Sequence, residues 1–471
     1  MDAADGAVDT PAACADSDSS VTPRLGRLAS QFALLGVAEL VCRILSLAIV
    51  LELVRRVGRD GFGRIEFCFN LVYWLIFVIR DGVELVFYRE LSRRQRPNPR
   101  IVGAYVSLKL QLAMLLWAWL VAFSLVAFRD GADRFLLCSF GVLLIPTSIG
   151  LDNVFRSRER AGIVAASLVV RTGLYVTGVW FFVTDSTRLT WVPWLFLAGE
   201  LAGIALVWRR FSFEYGLPRL NFARGRRIAA PVLTQGQGIL GLQLAQVALA
   251  SMDVLIIGFL DSWSLVGLYG APHRIVAAAV TFAVIFQQVL LPQLVRSWTS
   301  RRDRQSAEIR RIIAASLAVI VPGTLLVSLF SGPIVGFLFS ADFADAAPLL
   351  AIGIWRVPIM VVGSIHLTAL VATHRDREGV RILSGCLAVA VPLVIVAHAN
   401  FGLEGTACAM VAASLLTALS TGVAVHSRAG RGLARQKTDE SPSTAQAISP
   451  AAGAPHLGIK SKHKVFEDRH R

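Results

Sequence analysis

Hydrophobic residues along the chain come in long runs separated by short polar stretches. Twelve runs are drawn, at 29–54, 63–88, 101–128, 133–152, 161–184, 189–208, 228–258, 264–295, 309–330, 345–371, 380–399 and 402–426. Each matches or exceeds the roughly 20 apolar residues that cross a bilayer as a helix. The pattern predicts an all-α polytopic membrane protein with twelve transmembrane helices. The stretch Ser331 to Ser340 is apolar but too short to span, and is expected to extend or cap the ninth helix. The flanks read differently. Residues 1–28 are Asp/Ala/Ser-rich, and residues 427–471 are polar, Pro/Ser-rich and basic. Such compositions bury too little apolar surface to fold alone, so both are expected to be disordered tails. No basic start, short apolar region and small-residue cleavage site precede the first run, which is therefore expected to serve as the targeting signal itself.

Composition sharpens this picture. Of 471 residues, 55% are hydrophobic and 17% charged, against roughly 25% charged in an average soluble domain. A soluble one-core enzyme, a disordered chain and a disulfide scaffold are all excluded. The net charge is +15, an excess that in a soluble protein would suggest nucleic acid. Here the arginines lie in alternate loops, as the positive-inside rule requires of cytoplasmic ones. The second loop holds Arg89, Arg93, Arg94, Arg96 and Arg100, and the sixth holds Arg209, Arg210, Arg219, Arg224, Arg226 and Arg227. The eighth holds Arg296, Arg301, Arg302, Arg304, Arg310 and Arg311, while the first, with Arg55, Arg56 and Arg59, is the exception. Both termini are expected in the cytoplasm, with no nucleic-acid partner. Cys14, Cys42, Cys68, Cys138, Cys386 and Cys408 show no paired spacing and no histidine at ligand spacing, and read as small hydrophobes. No metal or cofactor is expected.

The chain carries an internal echo. Arg56-Val-Gly-Arg-Asp-Gly-Phe-Gly63 joins the first two runs, and Phe259-Leu-Asp-Ser-Trp-Ser-Leu-Val-Gly-Leu-Tyr269 joins the seventh and eighth. Each is a tight polar turn between long helices. The expected architecture is two six-helix lobes, 29–208 and 228–426, related by a parallel pseudo-two-fold repeat and joined by a basic cytoplasmic linker, 209–227.

Nothing in the sequence marks an enzyme: P-loop, HExxH, GxSxG and kinase signatures are missing. The chemistry must come from ionisable groups inside the apolar runs, which cost a few kcal/mol each unless something solvates them. On a helical wheel Glu39, Arg43 and Ser46 share one face of the first helix, and Glu66, Asn70, Arg80, Asp81 and Glu84 share one face of the second. Gln235, Gln246 and Asp253 align on the seventh, with Gln243 to one side, and His273, Gln287 and Gln288 share a face of the eighth bordered by Arg274. One reading is a water-filled cavity between the lobes, lined by helices one, two, seven and eight. The other is buried ion pairing, for which Glu39 with Arg43 and Arg80 with Glu84 have the i,i+4 spacing. Arg43, Arg80, Arg171, Arg274 and Arg356, with Gln246, are the candidate substrate-binding residues, because a guanidinium binds phosphate oxygens in pairs and stays charged at any working pH. Asp253, Glu39 and Glu84 are candidates for ion coupling or charge balance, and Asp253 could equally sit solvated, or as a cap, near the outer interface.

Several stretches carry a resemblance. Arg55-Arg-Val-Gly-Arg-Asp-Gly-Phe-Gly-Arg64 and Arg80-Asp-Gly-Val-Glu-Leu-Val-Phe-Tyr-Arg-Glu-Leu-Ser92 resemble the turn after the first helix and the end of the second in polysaccharide (O-antigen, Wzx-type) flippases. The segment from Asp253 through Val266-Gly-Leu-Tyr-Gly-Ala271, Arg274 and Pro292 is similar to the same family, as are Leu338-Phe-Ser-Ala-Asp-Phe-Ala-Asp-Ala-Ala347 and Gly402-Leu-Glu-Gly-Thr-Ala-Cys-Ala409. The resemblance spans residues 28–426. Ser340 stands where the family usually has glycine, and acidic Asp81 and Glu84 flank Arg80. It implies the multidrug/oligosaccharidyl-lipid/polysaccharide exporter fold, two bundles working by alternating access in the bacterial cytoplasmic membrane. It implies a substrate, undecaprenyl-pyrophosphate-linked oligosaccharide, bound in a cationic cavity with its lipid tail in the bilayer. Arg80 and Arg274 lie within matched stretches and carry that role most directly. Membrane lipids, and by family analogy a polysaccharide polymerase or other assembly proteins, are the implied partners. The alternative within the fold is a cation-coupled multidrug or small-molecule exporter. A lipid II flippase would be expected to have fourteen helices, and a glycan polymerase or ligase a large periplasmic loop.

Overall fold

The computed structural model describes residues 22–92, 97–158, 160–298, 302–373 and 375–439. Loop residues Arg93, Arg94, Arg96 and Arg301 and most of both expected tails lie outside them. The described residues are helical throughout, with no strand among them. In order the helices are α1 (Thr22–Ser92), α2 (Pro99–Ala127), α3 (Gly131–Gly141), α4 (Leu144–Ile149), α5 (Asp152–Arg156), α6 (Ala161–Phe182) and α7 (Trp191–Tyr215). There follow α8 (Phe222–Leu260), α9 (Trp263–Trp298), α10 (Arg302–Leu329), α11 (Ser331–Leu338), α12 (Ala347–Gly353), α13 (Arg356–Ala372) and α14 (Asp376–Asp439). The chain divides into a compact unit, Met1–His426, and a second, Ser427–Arg471; in the latter, residues 427–439 are described and are helical.

Nine segments among the described residues are long and apolar enough to cross a membrane. Two of them, Leu34–Arg80 with 47 residues and Arg377–His426 with 50, are too long for one crossing. At about 1.5 Å per residue each would run about 70 Å, against a hydrocarbon core of about 30 Å. Each is broken at a glycine: Gly58 in α1 (φ 70°, ψ −176°) and Gly402 in α14 (φ 60°, ψ −143°). That region of backbone space is closed to residues with a Cβ. The sequence echo therefore begins at a real chain reversal, and the apolar runs at 29–54 and 63–88 are its two arms.

Other boundaries have local causes. Asn98, Asp130 and Asn221 cap α2, α3 and α8 by accepting the backbone N–H of Arg100, Ala132 and Arg224 at 2.9, 3.0 and 2.8 Å, satisfying donors that a helix start leaves bare. The fourth run is a broken column of α3, α4 and α5. The expected linker 209–227 is mostly helix, since α7 continues to Tyr215 and α8 begins at Phe222. What remains of it is docked: Asn221 N donates to Ser107 Oγ at 2.9 Å, and Gly103 lies against the backbone of Arg219. The last residues of the first expected tail, 22–28, and the first residues of the second, 427–439, are helical. Lengthening an existing helix avoids the cost of nucleating one. The stretch after the ninth run forms the separate short helix α11.

The largest buried cluster joins both halves of the sequence. It includes Phe62, Phe67, Phe128 and Phe140 from the first half and Val254, Ile257, Val266 and Tyr269 from the second. A second cluster, with Phe87, Tyr105, Phe155 and Phe211, packs α1, α2, α5 and α7 together.

Candidate functional site

Near the Gly58 reversal the two halves meet backbone to backbone. A Cβ on Gly63 would lie 1.9 Å from the carbonyl oxygen of Trp263, and one on Gly267 would lie 1.9 Å from that of Arg59. The two echoing turns are therefore direct neighbours. Phe67, fully buried, sits edge-on to Phe128, Phe259 and Trp263 at ring distances of 5.9, 5.1 and 5.4 Å. Polar bonds ring this plug. Arg55 donates to the carbonyls of Leu338 and Phe337 at 2.8 and 2.6 Å, and Arg59 pairs with Asp345 at 3.4 Å. Asp133 accepts from Arg64 at 2.6 Å and from the Trp263 indole at 3.1 Å.

Away from the plug a cavity of about 950 Å³ opens. Its walls are the two arms of α1 with α4, α5, α6 and α7. From the first arm come Glu39, Arg43 and Ser46; from the second, Phe69, Tyr73, Arg80 and Glu84. Asp152, Asn153 and Arg156 of α5, Arg171 of α6 and Glu200 of α7 complete the charged lining. The expectation of a cavity lined by helices one, two, seven and eight is thus half met: among the described residues its walls lie within the first half of the chain. The side chains of Asp81, Gln235, Gln287 and Gln288 lie outside the described set.

The charges in the cavity are differently engaged. Arg171 is held between Asp152 at 2.7 Å and Glu200 at 3.3 Å. A small-residue pair makes this possible. Gly199 and Gly203 on α7 let α6 approach, with Ser167 Oγ donating to the Gly203 carbonyl at 3.1 Å and the Arg171 side chain lying over Gly203. Glu84 accepts from Lys109 at 2.8 Å and from Asn153. Glu39 meets Arg156 at 3.7 Å, a loose pair with Arg156 nearly half exposed. Arg43 reaches across to Thr281 Oγ1 of α9 at 3.5 Å. Arg80 lies with its guanidinium 5.5 Å from the Phe77 ring. The i,i+4 spacing of Glu39 and Arg43 does not give an ion pair, because Arg156 takes the carboxylate.

The other candidates lie elsewhere. Arg274 donates through Nε and Nη2 to one oxygen of buried Glu66, at 2.8 and 2.7 Å, and its guanidinium lies 4.9 Å from the Phe69 ring. Gln246, on α8, is outside the cavity lining. Asp253 is fully buried: Tyr269 donates to it at 2.7 Å, Arg356 at 3.2 Å, and His273 Nδ1 is 3.5 Å away. It is enclosed by these partners and not solvated. The backbone of α8 leaves helical geometry at Ser251 (φ −143°, ψ 15°), and Arg356 takes up the nearby carbonyls of Leu249 and Ala250 at 3.3 and 3.0 Å. Arg356 therefore closes a kink rather than lining the cavity. In the sequence Asp152 ends the fourth apolar run and Asn153 and Arg156 fall in the polar stretch after it; only the separate short helix α5 brings all three to the cavity.

Comparisons with known proteins place the family and the fold. The model of the family described as polysaccharide biosynthesis protein matches residues 28–298. The probable low-salt glycan biosynthesis flippase Agl15 of Haloferax volcanii is 21% identical over 375 residues, 79% of this chain and 77% of that protein. Among solved structures, lipid II flippase MurJ in an inward closed conformation is similar with a TM-score of 0.66 at 13% identity, covering 88% of this chain and 94% of MurJ. An inward-facing multidrug resistance MATE family transporter of the MOP superfamily gives 0.63 at 12% identity, covering 86% and 100%. With a family match over more than half its length and a fold shared with membrane transporters, this multi-pass membrane protein belongs to the polysaccharide biosynthesis protein family.

Proposed function

We propose that the chain flips undecaprenyl-pyrophosphate-linked oligosaccharide across the bacterial cytoplasmic membrane by alternating access, with twelve crossings and both termini inside. The observation that carries this reading is the arginine-bearing cavity of about 950 Å³, closed towards the Gly58 turn and extending away from it. A cytoplasmic N-terminus puts the Gly58 turn outside, so the cavity faces the side where lipid-linked glycans are assembled. Arg43, loosely held, and Arg156, loosely paired, are placed to exchange their contacts for phosphate oxygens. Arg80 shares the same wall. Arg171, clamped by two carboxylates, shapes the cavity and adds less attraction for an anion. Glu39, Glu84 and Asp253 each sit against a cation, which favours charge balance over ion coupling for all three.

The test is the lipid-linked glycan pool of a deletion strain, measured by lipid extraction and mass spectrometry together with surface glycan. Accumulation of a pyrophosphate-linked oligosaccharide with loss of surface polysaccharide is the expected result. Reintroduced Arg43→Ala is expected to restore protein level but not export, and Arg43→Lys to restore export poorly. An unchanged pool would overturn the glycan reading and leave the small-molecule exporter of the same fold.

A further inference from the structure

The second arm of α1 carries an aromatic residue at every fourth position along one face: Phe69, Tyr73 and Phe77. Phe69 and Tyr73 are stacked, with ring centres 5.8 Å apart and planes 17° from parallel. Tyr73 and Phe77 meet edge to face at 5.0 Å. An arginine stands at each end of the ladder, Arg274 at 4.9 Å from Phe69 and Arg80 at 5.5 Å from Phe77. Phe196 of α7 braces Phe69 at 6.1 Å. Phe69, Tyr73 and Phe196 all line the cavity, and Tyr73 stays 37% exposed although it lies deep in the bundle.

A rigid aromatic face of this kind, open to a polar cavity, is an unusual use of a large side chain. Simple packing would bury the ring, and a water-only passage would not need it. Aromatic faces carry negative charge density and attract weakly positive edges. The axial C–H faces of sugar rings present such an edge, with hydroxyls around the rim free for hydrogen bonding. The Tyr73 hydroxyl makes no hydrogen bond among the described residues, and Ser46 and Thr172 add hydroxyls to the same lining.

We propose that Phe69, Tyr73 and Phe196 form a sugar-stacking platform at the closed end of the cavity, so that the glycan lies deep and its phosphates lie nearer the mouth, level with Arg80. The inference rests on the flippase reading and adds the orientation of the substrate to it. Arg274 is then a positioning residue: bound to Glu66, it holds the Phe69 ring from behind and touches no sugar.

The experiment uses the full chain in nanodiscs, native mass spectrometry and two probes. One is the lipid-linked glycan extracted from the deletion strain; the other is undecaprenyl pyrophosphate, which has no sugar. Wild type is expected to bind the glycan-bearing lipid at least tenfold more tightly than the bare one. Tyr73→Ala should lose that advantage while binding undecaprenyl pyrophosphate within twofold of wild type, and Tyr73→Trp, which keeps a ring, should retain most of it. Equal wild-type affinity for both probes would overturn the platform, and so would an unaffected glycan advantage in Tyr73→Ala. Loss of both probes by Tyr73→Ala and by Tyr73→Trp would also overturn it, since the ring would then serve folding. Failure of wild type to bind either probe would instead sink the flippase reading itself.

Discussion

Asp253 and Arg356 show how much a residue's meaning depends on its neighbours. Each alone is an ionisable group in an apolar run, and either could face a transport path. Together they form a buried pair, with Asp253 fully enclosed and Arg356 3% exposed. Removing one partner leaves the other charge stranded, which costs about 3–5 kcal/mol in buried pairs. Asp253→Ala is expected to lower stability by that order, read as a fall in melting temperature in detergent. Adding Arg356→Met to it should recover only part of the loss, because the stranded charge is removed but the kink carbonyls of Leu249 and Ala250 lose their donor. Asp253→Asn should leave any gradient dependence of transport unchanged; abolished dependence would restore Asp253 as a coupling residue.

Between elements, distance of approach decides function. Helices α6 and α7 pack closely because Gly199 and Gly203 expose backbone, and the same contact sets Arg171 between Asp152 and Glu200. A Cβ on Gly203 would lie 2.3 Å from Arg171 Cγ and 2.9 Å from the Ser167 carbonyl oxygen. Arg171 can swing away, whereas the α6 backbone cannot. Gly203→Val should therefore separate the helices, destabilise the protein by about 1–3 kcal/mol and impair export more than its expression. A Gly203→Val variant that melts and exports like wild type would show that the cavity does not depend on this packing. The α1 reversal makes a similar point: Gly58, with φ of 70°, is where one long apolar stretch becomes two cavity walls.

For the whole molecule, the closed end is the part expected to move if access alternates. Gly63 and Gly267 interlock there with no room for a side chain, and Phe67 fills the space beneath them. Gly267→Leu should hold this end apart. In a cysteine-free background with a single cysteine at Ser262, labelling by a membrane-impermeant maleimide from outside is expected to increase several-fold on adding Gly267→Leu. Unchanged labelling would mean the interlock is not the barrier. The same reagent tests orientation: a cysteine at Ser186 should label in intact cells, and one at Asn221 only after the membrane is opened. The reverse pattern would invert the topology and turn the cavity outward.

The sequence by itself determined the membrane class, the helical secondary structure and most helix positions. Apolar runs longer than a bilayer is thick leave few other solutions; Gly58 falls in the gap between the first two runs, and Gly402 is the first residue of the last run. It also held the two turns that prove to be neighbours, and the family to which the chain belongs. Tertiary structure alone decided which charges share a space. Glu39 takes Arg156 instead of Arg43, and Asp253 takes Arg356, a residue 103 positions away. A helical wheel gives the direction of a side chain on its own helix and says nothing of what stands opposite. Partner choice in a low-dielectric interior depends on a few ångströms between helices, and that spacing is set by packing at residues such as Gly203, which carry no charge pattern to read.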